Sequence, residues 1–146
     1  MHRVSHEDRA LVEAFEAGRL PAADFGHREH IRLAYVYLAE GDPEPAFRKM
    51  RDGLRRFLAR HGVDPGKYHE TLTRAWMLAV RCYMDRTPEA DSAGAFVQQN
   101  ADLLRKDLLL AHYSRERLFS EAARTSFAQP DVAPFPEEPG RGSGSV

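Results

Sequence analysis

The chain reads as all-α, a compact bundle of five to six helices followed by an extended or disordered tail. Three observations carry this reading. Apolar residues recur at three- and four-residue spacing almost throughout, while the alternation of a half-buried strand is nearly absent. Cap-like openings at Ser5, Asp24, Asp42-Pro43, Asp64-Pro65 and Ser114 precede these stretches, and Gly18, Gly41 and Gly62 close three of them. From Gln129 onward four prolines crowd the chain, which then runs Gly140-Arg141-Gly142-Ser143-Gly144-Ser145, a composition with too little apolar surface to bury.

Each element follows from these signals. Ser5 with Asp8 reads as a capping box, and Leu11, Val12 and Phe15 share one helical face up to Gly18. Asp24 opens a second helix over 26–40, with Ile31, Ala34, Tyr35 and Leu38 as its apolar stripe. Asp42-Pro43, a cap followed by a proline preset for the first turn, starts a third helix that Gly62 ends. Asp64-Pro65 repeats the signal for a fourth helix reaching Arg86. Leu72, Trp76, Leu78, Ala79, Val80, Cys82 and Tyr83 make it apolar on several sides, so it is expected at the centre. Residues 89–100 and 102–112 are further helix candidates, and Ser114 caps a last one through Phe127. The domain is therefore expected over 1–128 and the tail over 129–146.

A chain of 146 residues is long enough for one ordinary core without disulfides or structural metal. With 42% apolar and 29% charged residues and a formal charge of −1, it has no overall field drawing it to nucleic acid or to an anionic membrane. The single cysteine, Cys82, forms no intrachain disulfide and fits a reducing cytoplasm. No signal-peptide pattern opens the chain, and no stretch reaches the roughly 18 apolar residues of a membrane span. A cytoplasmic protein without nucleic-acid or membrane partners is the expectation, and a homodimer is compatible with a bundle of this size.

Chemistry concentrates in two segments: Phe25-Gly26-His27-Arg28-Glu29-His30 and Tyr68-His69-Glu70-Thr71-Leu72-Thr73. Short connections make successive helices antiparallel, so the second and fourth should start at the same end of the bundle. There His27 and His30, three residues apart on one face, would meet His69. Partial positive charge at a helix N-terminus favours neutral imidazole, the form that binds metals or acts as a base. Three histidines with a carboxylate match a site for a divalent transition metal, Zn, Fe, Ni or Mn, with a position left for water or a small-molecule substrate. In that reading His27, His30 and His69 are ligands, and Glu70 is a fourth ligand or the catalytic base. Thr73 supports the ligands, and Tyr68 and Trp76 line the pocket. The alternative is a metal-free module that binds a small ligand or a protein partner, whose histidines are structural or hold an organic anion. Arg48, Lys49, Arg51, Arg55, Arg56 and Arg60 give the third helix a basic face, without the interleaved aromatics that stack bases.

These two segments, together with Asn100-Ala101-Asp102-Leu103-Leu104 and Tyr113-Ser114-Arg115-Glu116-Arg117-Leu118, resemble a family of small all-helical bacterial proteins. The family carries F-x-H-x-x-H and Y-H-E-T-x-T motifs. The resemblance spans about residues 10–136. It implies a helical domain in which His27, His30, His69, Glu70 and Thr73 occupy motif positions, and it brings no activity with it. Family members more often carry an aromatic where this chain has His112.

Overall fold

Side-chain caps from the residue before the helix set most of the helix starts, while the third helix starts at a proline with no capping bond from Asp42. At the first helix, α1 (His6–Glu16), the Ser5 hydroxyl accepts from the Asp8 amide at 3.1 Å and the Asp8 carboxylate accepts from the Ser5 amide at 3.0 Å. The computed structural model describes residues 2–136, so the Gly/Ser end of the tail lies outside the described residues. Six more helices follow: α2 (His27–Glu40), α3 (Pro43–Arg60), α4 (Glu70–Arg86), α5 (Ala93–Gln99), α6 (Arg115–Leu118) and α7 (Glu121–Thr125). An isolated bridge pairs His2 with Ala90, and no strand forms among the described residues. No helix among them is long and apolar enough to cross a membrane.

Two starts and the stretch beyond residue 100 differ from the sequence expectation. Asp24 closes a short 3-10 turn (Ala22–Asp24), and α2 begins at His27 because the Glu29 carboxylate reaches back to the Gly26 amide at 2.9 Å. Asp64-Pro65 opens another 3-10 turn (Pro65–Lys67), and the chain then runs extended through Tyr68. His69 caps α4, its Nδ1 accepting from the Leu72 amide at 3.0 Å. The expected helix over 102–112 is instead two 3-10 turns, Ala101–Leu104 and Leu108–Ala111. Ser114 caps only the single turn of α6, because Ser120 caps again and starts α7 in a new direction.

The core is centred on α2 more than on α4. Ile31, Leu33, Ala34, Tyr35 and Val36 are all fully buried, and α2 packs against α1, α3, α4 and α5. It passes α4 with one face and α1 and α5 with others, so apolar residues are needed nearly all round it. Between α1 and α3 the close approach depends on Gly53, where a methyl group would lie 2.4 Å from the Phe15 ring. Phe15 in turn stacks on Phe25 at 5.7 Å, and Phe25 meets Phe57 at 4.8 Å. Asp8, 1% exposed, joins two helix starts, since its carboxylate also accepts from the Ala93 amide at 2.8 Å.

Residues 126–136 form a strap across the body of the domain. The buried Thr71 hydroxyl donates to the Ser126 carbonyl and accepts from the Ala128 amide, both at 3.0 Å. Tyr113 donates to the Ala128 carbonyl at 2.7 Å, and Asp131 accepts from the Ser114 amide and hydroxyl at 2.8 and 2.6 Å. Phe135 then stacks on His112 at 4.1 Å. The proline-rich half of the tail is thus pinned through side chains of α4 and of the segment around α6. Its prolines lower the entropy lost on ordering.

Candidate functional site

The structure brings two of the three motif histidines together and sets the third apart. His27 and His30 face each other edge-on across 6.4 Å, and His27 packs against Trp76 at 4.5 Å. Trp76 lies seven residues past His69, about 10 Å along the helix, so the start of α2 meets α4 two turns beyond its own start. Among the described residues no group of three or more His, Cys, Asp or Glu is placed to hold a metal ion.

His69 is engaged through both ring nitrogens. Nδ1 accepts from the Leu72 amide, and Nε2–H donates to the Leu118 carbonyl at 3.0 Å, which fixes the neutral Nε2–H tautomer. To bind a metal the ring would have to leave one of these partners. Burial holds its pKa below the ordinary value, and the Arg124 charge adds to that. The same use of imidazole recurs through the molecule. His27 Nε2–H donates to the Leu103 carbonyl at 2.9 Å and His2 to Met84 at 2.8 Å. His61 donates to Leu20 at 3.2 Å, and His112 Nδ1–H donates to Ala133 at 2.9 Å. Five rings thus tie main-chain carbonyls from segments remote in sequence.

Among the motif histidines His30 is the exception. Its Nε2 is buried without a hydrogen-bond partner. Burial, with His27 adding to it, pushes its pKa down to about 4, so the ring is neutral at physiological pH. It packs beside Phe25 at 6.4 Å as a small aromatic.

The remaining motif residues form a separate local set. The Tyr68 hydroxyl donates to Glu70 Oε1 at 2.8 Å, and Glu70 Oε2 lies 4.0 Å from Arg51 Nη1. Thr73 donates to the His69 carbonyl at 2.8 Å, a bond inside its own helix that steadies the cap. Glu70 therefore faces a phenol and a guanidinium, apart from the His27/His30 pair.

Sequence reasoning missed an apolar cleft. A cleft of about 330 Å³ opens between α2, the start of α3 and α4, with the end of the strap as its outer wall. Leu38, Phe47, Met77, Leu78 and Phe135 supply apolar surface, while Arg74 and Arg81 bring guanidinium groups. Arg74 pairs with both oxygens of Glu44 and lies over the Phe47 ring at 4.6 Å, which orients its head. Arg81 pairs with Asp85 at 3.1 Å. The Cys82 thiol donates to the Pro136 carbonyl at 3.3 Å, and burial raises its pKa, so it remains a thiol with no sign of nucleophilic activation. The signal was thin. Leu38 and Leu78 look like ordinary core positions, and the wall that closes the cleft comes from a segment that reads as tail.

Compared with known proteins, the chain matches no family model, no curated protein and no solved structure.

Proposed function

We propose that the protein is a metal-free small-ligand-binding module whose site is the cleft between α2, α3 and α4 beneath the strap. One observation carries the proposal: a concave apolar cavity of about 330 Å³ has two oriented guanidinium groups at its wall and a peptide segment closing it. That size and lining match sites that enclose a small, mainly apolar organic molecule and fix it through a few polar groups. The use of five histidine rings as main-chain ties supports the same reading, because it gives the histidines a structural role.

A neutral fluorescent probe, N-phenylnaphthylamine, tests the cleft. Leu78→Trp places an indole in the cavity while keeping an apolar surface residue on α4. The probe is expected to bind the native chain and raise its melting temperature, as any ligand of the folded state does. In the variant its affinity should fall at least about tenfold. Equal binding by the two proteins, with both melting cooperatively, would overturn the proposal.

The second reading places a divalent metal, Zn, Fe, Ni or Mn, at His27 and His30. The free, buried Nε2 of His30 beside His27 favours it. It then rests on two protein ligands, with Glu70 and His69 engaged elsewhere.

A further inference from the structure

A second concavity, of about 380 Å³, lies between the C-terminal half of α3, the turn at 65–67 and α7. Tyr68, only 8% exposed, forms the floor, and Leu58 and Pro65 flank it. The phenol is held in place by its bond to Glu70, so the ring is a fixed platform. Arg55 and Arg124 stand at the rim, with Thr125 adding a hydroxyl.

The two guanidinium groups are not equivalent. Arg124 already binds Glu121 and the Gly66 carbonyl, so it is held in one orientation with part of its charge compensated. Arg55 is held differently. It lies over the face of Tyr68 at 4.8 Å, and no described carboxylate comes within 4.0 Å of it. Its surroundings strengthen the field. Helix α3 carries six basic residues against Glu44 and Asp52 in a chain of formal charge −1, and those two carboxylates are taken up by Arg74 and Arg51. An exposed cation resting on an aromatic face exchanges that weak contact readily for a charge-assisted bond to an anion.

We propose that this concavity is a second binding site, for a small organic anion that joins a carboxylate or phosphate monoester to a compact flat apolar body. Arg55 leaves the Tyr68 face to meet the anionic group beside Arg124, and the apolar body takes its place on Tyr68 against Leu58. Charge alone would recruit inorganic phosphate equally well. The Tyr68 platform is what selects an anion with an attached ring, because stacking and burial add to the ion contact. The site is independent of the apolar cleft and of the ligand proposed there.

Amide shifts of the labelled full-length protein, followed on addition of phenyl phosphate, benzoate and inorganic phosphate, test this. Shifts are expected to concentrate at 55–68 and 121–125. Phenyl phosphate or benzoate should bind at least about tenfold more tightly than inorganic phosphate, and binding should weaken with added salt. Arg55→Gln, an exposed position where the fold is retained, should reduce the affinity at least about tenfold, whereas Lys49→Gln on the same helix should leave it within about twofold. The absence of localised shifts at millimolar probe, equal affinity for inorganic phosphate, or equal losses in Arg55→Gln and Lys49→Gln would each overturn the proposal.

Discussion

Replacing His69 by alanine is expected to destabilise the domain by about 2–3 kcal/mol, with no change in its response to a chelator. The ring performs two tasks in one place. Its Nδ1 caps α4 through the Leu72 amide, and its Nε2–H satisfies the Leu118 carbonyl at the end of α6. A lost cap costs about 1 kcal/mol, and a part-buried carbonyl left without its donor costs about 1–2 more. His69→Asn can still accept from the capped amide but is too short to reach Leu118. It should recover about 1 kcal/mol of the loss. Denaturant melts of the three proteins, each with and without chelator, read this directly. Equal stability of native and His69→Ala protein would remove the ring from the list of main-chain ties, and a native protein that alone loses stability to chelator would point to a metal.

Acidification is expected to have a comparable effect through His30. Its folded pKa is about 4, below the ordinary value of 6.5, because burial disfavours the charged ring. Between these values the unfolded chain binds a proton that the folded chain does not. Stability therefore falls as the pH drops from about 6.5 toward about 4 and levels off, for this group, below that. The full difference is on the order of 3 kcal/mol. His27 and His69, also lowered chiefly by burial, act in the same direction. His30→Phe isolates the contribution. Nε2 has no partner to lose, so an apolar ring leaves no orphaned group and removes the titration. The variant should match the native protein near neutral pH and lose stability more slowly on acidification, with about one proton less in the slope. An unchanged slope would show that His30 titrates normally in the folded state.

The fold was legible in the sequence where the signals are local. Ser5 with Asp8 announces α1 through a capping box, and Asp42-Pro43 announces α3 through the proline's preset first turn, with no capping bond from Asp42. The α4 start was misplaced for an instructive reason. Asp64-Pro65 is a true turn signal, but it opens a 3-10 turn, and the residue that caps the helix is a histidine, a side chain seldom read as a cap. The stretch from 101 to 127 was harder still. Its leucines suit a helix, yet successive caps at Ser114 and Ser120 redirect the chain, and the carbonyls freed at the breaks are taken up by His27 and His69.

The candidate site divides in the same way. That His27 and His30 share a face follows from spacing alone, and the structure keeps them together. Whether His69 joins them depends on the axial offset between α2 and α4, set by how Trp76 packs against His27, and no spacing encodes it. Tyr68 and Glu70 pair because the extended step before α4 turns the phenol back toward the helix. The apolar cleft is hidden in the sequence because its outer wall, Phe135 and Pro136, lies fifty or more residues from the α4 residues it covers.

In the proposed metal-free domain His27 and His69 are main-chain ties and His30 is a buried neutral ring, and ring nitrogen NMR of the full chain during a zinc titration at neutral pH tests that most directly. On that reading His69 shows the neutral Nε2–H tautomer, and stoichiometric zinc leaves the rings of His27, His30 and His69 unchanged. Movement of the His27 and His30 signals together at stoichiometric zinc, or loss of the His69 tautomer, would contradict it.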